Sequence, residues 1–255
     1  MSISLHARNL VVKAGPRTLI RDLELELGAG EAIVILGVNG AGKTSLLETL
    51  CRLRPPHSGT IRIGDDAIGE LAPRLLARHI GLMPQGIEDG FDHSVQRLVA
   101  LGRYARGGLW QWRDEEDLVA SNRALTRVGL ADQALRSSAT LSGGERQRVA
   151  LAMLLAQAPR LMLLDEPFSQ LDPAHRRQAL GLMRELRDQG HGLMLSVHDV
   201  NIAAHVADRV LMLHGDGRWE LGSRTEMLTQ TRLTELYATP VCRIAGDADY
   251  FVFGD

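Results

Sequence analysis

The chain opens with two β-rich runs, Ser4 to Val12 and Thr18 to Leu27, with Gly15-Pro16 between them as a turn signal. In the second run Leu23, Leu25 and Leu27 alternate with Glu24 and Glu26, which predicts a strand with one buried and one wet face. Glu31 to Leu36 has no such alternation. It is a short apolar run rich in β-branched residues, as expected of a parallel strand buried on both faces. Gly37 stops it, and from Lys43 onward the leucines at 46, 47, 50 and 53 are predicted to share one helical face. Strand, glycine loop and helix open a βαβ unit.

The pattern then repeats. Thr60 to Ile63 and Ile80 to Met83 read as strands, Asp114 to Val128 as a helix, and Ser142 begins another strong helix. Leu161 to Leu164 is a buried strand, Pro173 to Gln189 a helix stopped by Gly190, and Leu193 to Val197 a strand. Val200 to Ala207 and Val210 to Leu213 add a last helix and strand. Alternating strands and helices predict an α/β fold with a mainly parallel sheet covered on both faces. From about Gly86 to Pro159 mostly helical sequence interrupts the alternation, which predicts an inserted helical subdomain within one domain spanning 1–255.

Composition narrows the function classes. The 255 residues carry 29 Lys+Arg against 31 Asp+Glu, a net charge of -2, which disfavours a dedicated nucleic-acid binder. Lys13 and Lys43 are the only lysines and every other cation is arginine, a bias that makes the retention of Lys43 informative. Cys51 and Cys242 lie far apart with no metal or disulfide spacing, so a reducing compartment is expected. No basic segment followed by an apolar run opens the chain, so no signal peptide is expected. The longest uncharged apolar stretch, Val149 to Pro159, is about half of the roughly 20 residues a membrane helix needs.

Two segments carry chemistry. Gly37-Val38-Asn39-Gly40-Ala41-Gly42-Lys43-Thr44, followed by Ser45, fits G-x-x-x-x-G-K-[ST] between a strand and a helix. Glycines let backbone N–H groups curl around phosphate, and the helix N-terminus adds its positive dipole end. Lys43 is placed to reach the β and γ phosphates and Thr44 to ligate Mg²⁺. The second segment, Leu161-Met162-Leu163-Leu164-Asp165-Glu166, delivers two acids at the carboxyl end of a buried strand, where ligands of parallel sheets collect. Asp165 is expected on Mg²⁺ and Glu166 as the general base for the attacking water.

Just before that strand stands Leu141-Ser142-Gly143-Gly144-Glu145. Ser142 with Glu145 three residues later is a capping box and starts a helix on that ground alone. Together with the phosphate loop it resembles the ABC transporter ATPases, and the resemblance runs through the chain. It aligns a Walker A loop at 37–44, a glutamine loop at Gln85, a signature at 141–145 and Walker B at 161–165 with its glutamate at 166. A D-loop follows at Ser169-Gln170-Leu171-Asp172 and a switch histidine at His198. The resemblance implies a P-loop NTPase (RecA-like) core over 1–85 and 160–255, an N-terminal antiparallel β subdomain, and a helical subdomain over 86–159. It implies ATP and Mg²⁺ as ligands, with Gln85 sensing the metal and His198 the γ-phosphate. It also implies a homodimer in which the signature of one copy closes on ATP held by the other, docked on a transmembrane permease dimer.

The family's usual adenine-stacking aromatic aligns with Ala14 or Gly15, leaving Arg17 as the group whose guanidinium plane can pack on the base. Val38 and Gln170 also depart from common family residues without removing a catalytic group. ABC ATPases of DNA repair and cohesion carry coiled-coil or zinc insertions, and those of translation carry two ATPase domains. This chain has none of these features, although a non-transport switch in a soluble complex remains the alternative. Val99 to Tyr104, His198-Asp199-Val200-Asn201, Ala203-Ala204 and the tail after Leu236-Tyr237 look like the importers of iron chelates, haem and cobalamin. By that likeness the chain sits on the cytoplasmic face of the cell membrane and meets an external substrate-binding protein only through the permease. Phe91, Tyr104, Trp110 and Trp112, near Arg103, Arg106 and Arg113, are expected either to core the helical subdomain or to dock a permease helix.

Overall fold

The computed structural model describes residues 3–86, 93–106, 115–244 and 250–254. Strands β1 (Leu5–Ala14) and β2 (Arg17–Leu27) form an antiparallel pair, followed by β3 (Ala32–Leu36) and α1 (Lys43–Leu50). Then come β4 (Ser58–Ile63), β5 (Asp66–Ala67), α2 (Pro73–His79) and β6 (Ile80–Met83). Three helices follow, α3 (Val95–Leu101), α4 (Glu115–Arg127) and α5 (Gly143–Gln157), with no strand among the described residues between β6 and β7 (Leu161–Asp165). The chain continues through α6 (Pro173–Asp188), β8 (Gly192–Ser196), α7 (Val200–Val206), β9 (Arg209–Leu213) and β10 (Trp219–Ser223). It ends with α8 (Arg224–Met227), α9 (Gln230–Tyr237) and the hairpin β11 (Val241–Ile244) and β12 (Tyr250–Phe253).

A six-stranded sheet runs in the order β10-β9-β3-β8-β7-β6, parallel except for the edge strand β10. A four-stranded sheet, β2-β1-β4-β5, is antiparallel throughout. The segment Thr60 to Ile63 therefore does not join the parallel sheet. It pairs with β1, because the loop after α1 carries the chain back over the amino-terminal strands, with Leu5 opposite Ile63.

Strands β3, β7 and β8 are buried at every position, and their alternate residues serve two cores. Ile33, Ile35, Leu161, Leu163 and Met194 pack with the antiparallel sheet and with Leu46, Leu47 and Leu50 of α1. Val34, Leu36, Met162, Leu164, Leu193 and Leu195 face the other way, into one continuous core with α3 to α7 and α9. Each fully buried aliphatic contributes roughly 1.5–3 kcal/mol, so the sheet that carries the loops is held by packing on both faces. One element is shorter than its pattern: α1 ends at Leu50, Arg52 takes a left-handed φ of 61°, and Leu53 is 70% exposed instead of lying on the helical face.

Candidate nucleotide site

The loop between β3 and α1 is shaped by what surrounds it. Gly42 adopts φ 108°, and a Cβ there would sit 3.0 Å from the Leu19 side chain, so only glycine fits the turn into α1. No side chain caps α1 and no acid stands in its first turn, which leaves its amino-terminal N–H groups and positive dipole end open to an anion. Lys43 is buried, and its Nζ donates to the carbonyls of Gly37 at 2.7 Å and Val38 at 3.4 Å. Burial pushes its pKa down, opposed by the carboxylates of Glu166 and Asp165.

Across the loop stand the two acids at the end of β7. Asp165, 2% exposed, accepts a hydrogen bond from Thr44 Oγ1 at 2.6 Å and another from Ser196 Oγ. Glu166 lies in the left-handed region at φ 51°, a conformation that costs a residue other than glycine about 1 kcal/mol or more. Its backbone is held on both sides. The amide donates to Ser196 O at 3.2 Å and Ser196 Oγ at 2.9 Å. The carbonyl accepts from Gln147 Nε2 at 2.8 Å and from the Ser169 amide and hydroxyl at 3.1 and 3.0 Å. Its carboxylate is thereby aimed between two neighbours, accepting from Gln85 Nε2 at 2.8 Å on Oε2 and meeting His198 Nε2 on Oε1.

Gln85, Glu166 and His198 follow β6, β7 and β8, while Lys43 and Thr44 follow β3; these four strands are neighbours in the sheet. Their carboxyl ends open on one cleft of about 540 Å³, lined also by Ala14, Arg17, Leu19, Asn39, Gly40, Gly42 and Ser45. Among the described residues no aromatic ring lines it. Arg17 Nη2 donates to Gly215 O at 2.7 Å, which fixes the guanidinium at the edge of the cleft. The Thr44 hydroxyl, Asp165 carboxylate and Gln85 amide are hard oxygen-bearing donors of the kind Mg²⁺ takes. Among the described residues no group of three His, Cys, Asp or Glu could hold a metal. Such a donor set suits an ion that shares its coordination with a bound phosphate.

The segment 141–145 lies elsewhere. Ser142 caps α5: its Oγ accepts from the Glu145 amide at 3.3 Å, and Glu145 Oε2 accepts from the Ser142 amide at 2.7 Å. That hydrogen bond, with Arg136 at 2.8 Å, holds Glu145 down to about 2. Gly143 and Gly144 are pressed against Gln170, itself in the left-handed region at φ 63°, so neither has room for a side chain. Asp172 caps α6, accepting from the His175 amide at 2.9 Å. None of Leu141, Ser142, Gly143, Gly144, Glu145 or Asp172 lines the cleft. Leu141 is buried, and Gly143 and Gly144 lie against Gln170.

Two residues of this site, Ser196 and Gln147, did not stand out in the sequence. Each is a buried polar side chain on an apolar element, and that is the signal by which it could have been found. Of the aromatic and arginine cluster, Phe91, Trp110, Trp112 and Arg113 lie outside the described residues. Tyr104 is 54% exposed with the Arg74 guanidinium 5.5 Å over its ring. Arg103 donates to Asp117 at 2.7 Å, and the exposed Arg106 donates to the carbonyls of Gln157 and Ala158.

Residues 20–169 match the ABC transporter family. The chain belongs to that family. It is an ATP-binding, ATP-hydrolysing member, an ABC ATPase. A hemin import ATP-binding protein of Pseudomonas fluorescens is 36% identical over 244 residues, covering 93% of each chain. A ferric enterobactin transport ATP-binding protein of Escherichia coli is 37% identical, covering 95% of this chain and 90% of its own. A metal-chelate type ABC transporter solved in an inward-facing conformation matches with a TM-score of 0.86 and 27% identity, over 100% of this chain and 98% of that one. As an ABC ATPase the chain works with a second ATP site half and a transmembrane permease. No helix among the described residues is long and apolar enough to cross a membrane.

Proposed function

We propose that this ABC ATPase drives an importer of metal chelates of the haem or ferric-siderophore type. The observation that carries the reading is similarity over nearly the whole chain to the hemin and ferric enterobactin import subunits. The chain then acts at the cytoplasmic face of the membrane, as a homodimer on a permease dimer, with an external binding protein delivering the chelate. We read 1–85 and 160–255 as the β and RecA-like core and 86–159 as the helical subdomain that meets the permease, with Tyr104 on its exposed side.

In this reading the phosphates of ATP lie on the open N-terminus of α1, along Gly37 to Ser45, with Lys43 against the β and γ groups. Thr44, Asp165 and Gln85 would hold Mg²⁺ together with the phosphates, and the ion would supply positive charge against the charge that develops there. Glu166 accepts a proton from the attacking water, and His198, already against its carboxylate, orients that water toward the γ-phosphate. Ser142 and Gly144 of a second copy stabilise the far side of the γ-phosphate, which accounts for a signature distant from its own chain's cleft. The adenine rests on the Arg17 guanidinium, the one planar cation among the described residues that line the cleft.

Deletion of the gene is expected to abolish uptake of one of hemin, a ferric siderophore or cobalamin, restored by the wild-type chain and not by Glu166→Gln. Unchanged uptake of all three refutes the importer reading.

A further inference from the structure

Three residues after His198, the side chain of Asn201 makes two hydrogen bonds to one residue at the far end of the chain. Asn201 Nδ2 donates to Phe251 O at 3.1 Å, and the Phe251 amide donates to Asn201 Oδ1 at 2.8 Å. The amide group thus takes the place of a strand partner along the open edge of β12. Hydrogen bonds satisfied in both directions fix orientation as well as distance. The Asn201 backbone is held too: its N–H donates to the cap residue Asp199 at 2.9 Å, and its carbonyl accepts from His205 Nδ1 at 2.7 Å.

The carboxy-terminal hairpin is itself anchored. Phe251 is 2% exposed, in the core shared with Val200, Ala203, Leu233 and Leu236. Phe253 meets Tyr237 edge to face, with centroids 5.2 Å apart at 89°. The Tyr237 hydroxyl is buried, and burial pushes its pKa up, reinforced by the Asp199 carboxylate and opposed by the backbone of Gly37. A two-stranded ribbon is marginal by itself, so this one owes its place to α7 and α9, and α7 receives in return a fixed first turn. The His198 side chain is 48% exposed, and among the described residues it meets Glu166.

We propose that the β11–β12 ribbon is a brace for the switch segment, and that Asn201 is a positioning residue acting through His198 on the hydrolysis step. The proposal rests on the reading of Glu166 and His198 as the water-activating pair. Release of the Asn201 clamp lets the first turn of α7 shift, His198 loses its alignment on Glu166, and turnover falls while the phosphate loop keeps its grip on nucleotide.

A double-mutant cycle on the full-length chain tests this, with kcat and KM for MgATP measured for wild type, Asn201→Ala, His198→Ala and the double variant. Asn201→Ala is expected to lower kcat by roughly ten- to a hundred-fold, the penalty of a misplaced catalytic group, with KM changed less than about two-fold. In the His198→Ala background it should cost little more, since residues that act as a unit are non-additive. Hydrogen exchange at the Phe251 amide should quicken in the single variant, which establishes that the ribbon has been released. Should Asn201→Ala fold poorly, Asn201→Asp keeps the acceptor for the Phe251 amide but sets a carboxylate oxygen against the Phe251 carbonyl, and a fall in kcat with KM little changed is expected. Wild-type kcat in Asn201→Ala with a released ribbon overturns the brace, as does a full additive loss on top of His198→Ala. Wild-type kcat in His198→Ala alone overturns instead the catalytic reading beneath it.

Discussion

Two helices in this molecule begin in ways suited to phosphate, and they begin differently. Helix α1 starts at Gly42 with no side-chain cap and no acid in its first turn, under a buried lysine. Helix α5 starts at Ser142 with a complete capping box, and Glu145 already takes up donors at its N-terminus. The first terminus has its hydrogen-bonding capacity and dipole unspent, so it can hold an anion alone. The second is satisfied within its own chain and stable without ligand. It can close on a phosphate only as the second half of a site whose charge is neutralised elsewhere. In the proposed reading the open end is the primary site and the capped end the closing surface, both in one chain of an ABC ATPase.

The comparison breaks most sharply at Lys43. Lys43→Ala is expected to lower kcat/KM for ATP by about 10²–10³-fold, in line with removal of one preorganised electrostatic donor. Lys43→Arg should do nearly as badly although this chain uses arginine almost everywhere, because a planar fork does not fit the turn where Nζ meets Gly37 O. Steady-state hydrolysis checks both. Near wild-type rates with arginine would remove the geometric argument.

A smaller effect is expected at the base end. Arg17→Ala should raise KM for ATP by about ten-fold or less with kcat unchanged, as for loss of a uniform binding contact worth about 1 kcal/mol. Binding of tripolyphosphate, which has no base, should not change. An equal loss for both ligands would assign Arg17 to the phosphates.

The capped end gives the smallest effects. Ser142→Ala should cost about 1 kcal/mol of stability in denaturant titration. Glu145, held at about 2 from an unperturbed 4.5, stabilises the folded state above that unfolded value. Its contribution is lost as pH falls from about 4.5 toward 2. Thermal melts across that window should show a steeper decline in wild type than in Glu145→Gln. Parallel curves would mean that the cap does not hold the carboxylate.

Legibility in the sequence followed burial. Strands β3, β7 and β8 read plainly because all their residues are buried, and the loops after them carry the motif residues. Helix α2 escaped notice because Leu76 is its one buried residue, which leaves no periodic face. Strand β10 is half-buried at each position and shows no alternation, and β11 and β12 are four residues each with one buried position apiece. Leucine spacing alone predicts a helix to Leu53 after the phosphate loop, whereas the left-handed Arg52 ends it. Within the cleft, the acids Asp165 and Glu166 at the end of β7 were legible and their supports were not. Ser196 and Gln147 hold Glu166 from 30 and 19 residues away, and local pattern carries no trace of that contact.

The central claim is that the capped surface of one copy completes the open site of another, with Glu166 limiting hydrolysis once they meet. Light scattering on purified Glu166→Gln with and without MgATP tests it directly. The account predicts a species of 27.9 kDa without nucleotide and one of twice that mass with it, holding two unhydrolysed ATP molecules. A variant that binds ATP and stays at the mass of one chain, or that turns ATP over at the wild-type rate, contradicts it.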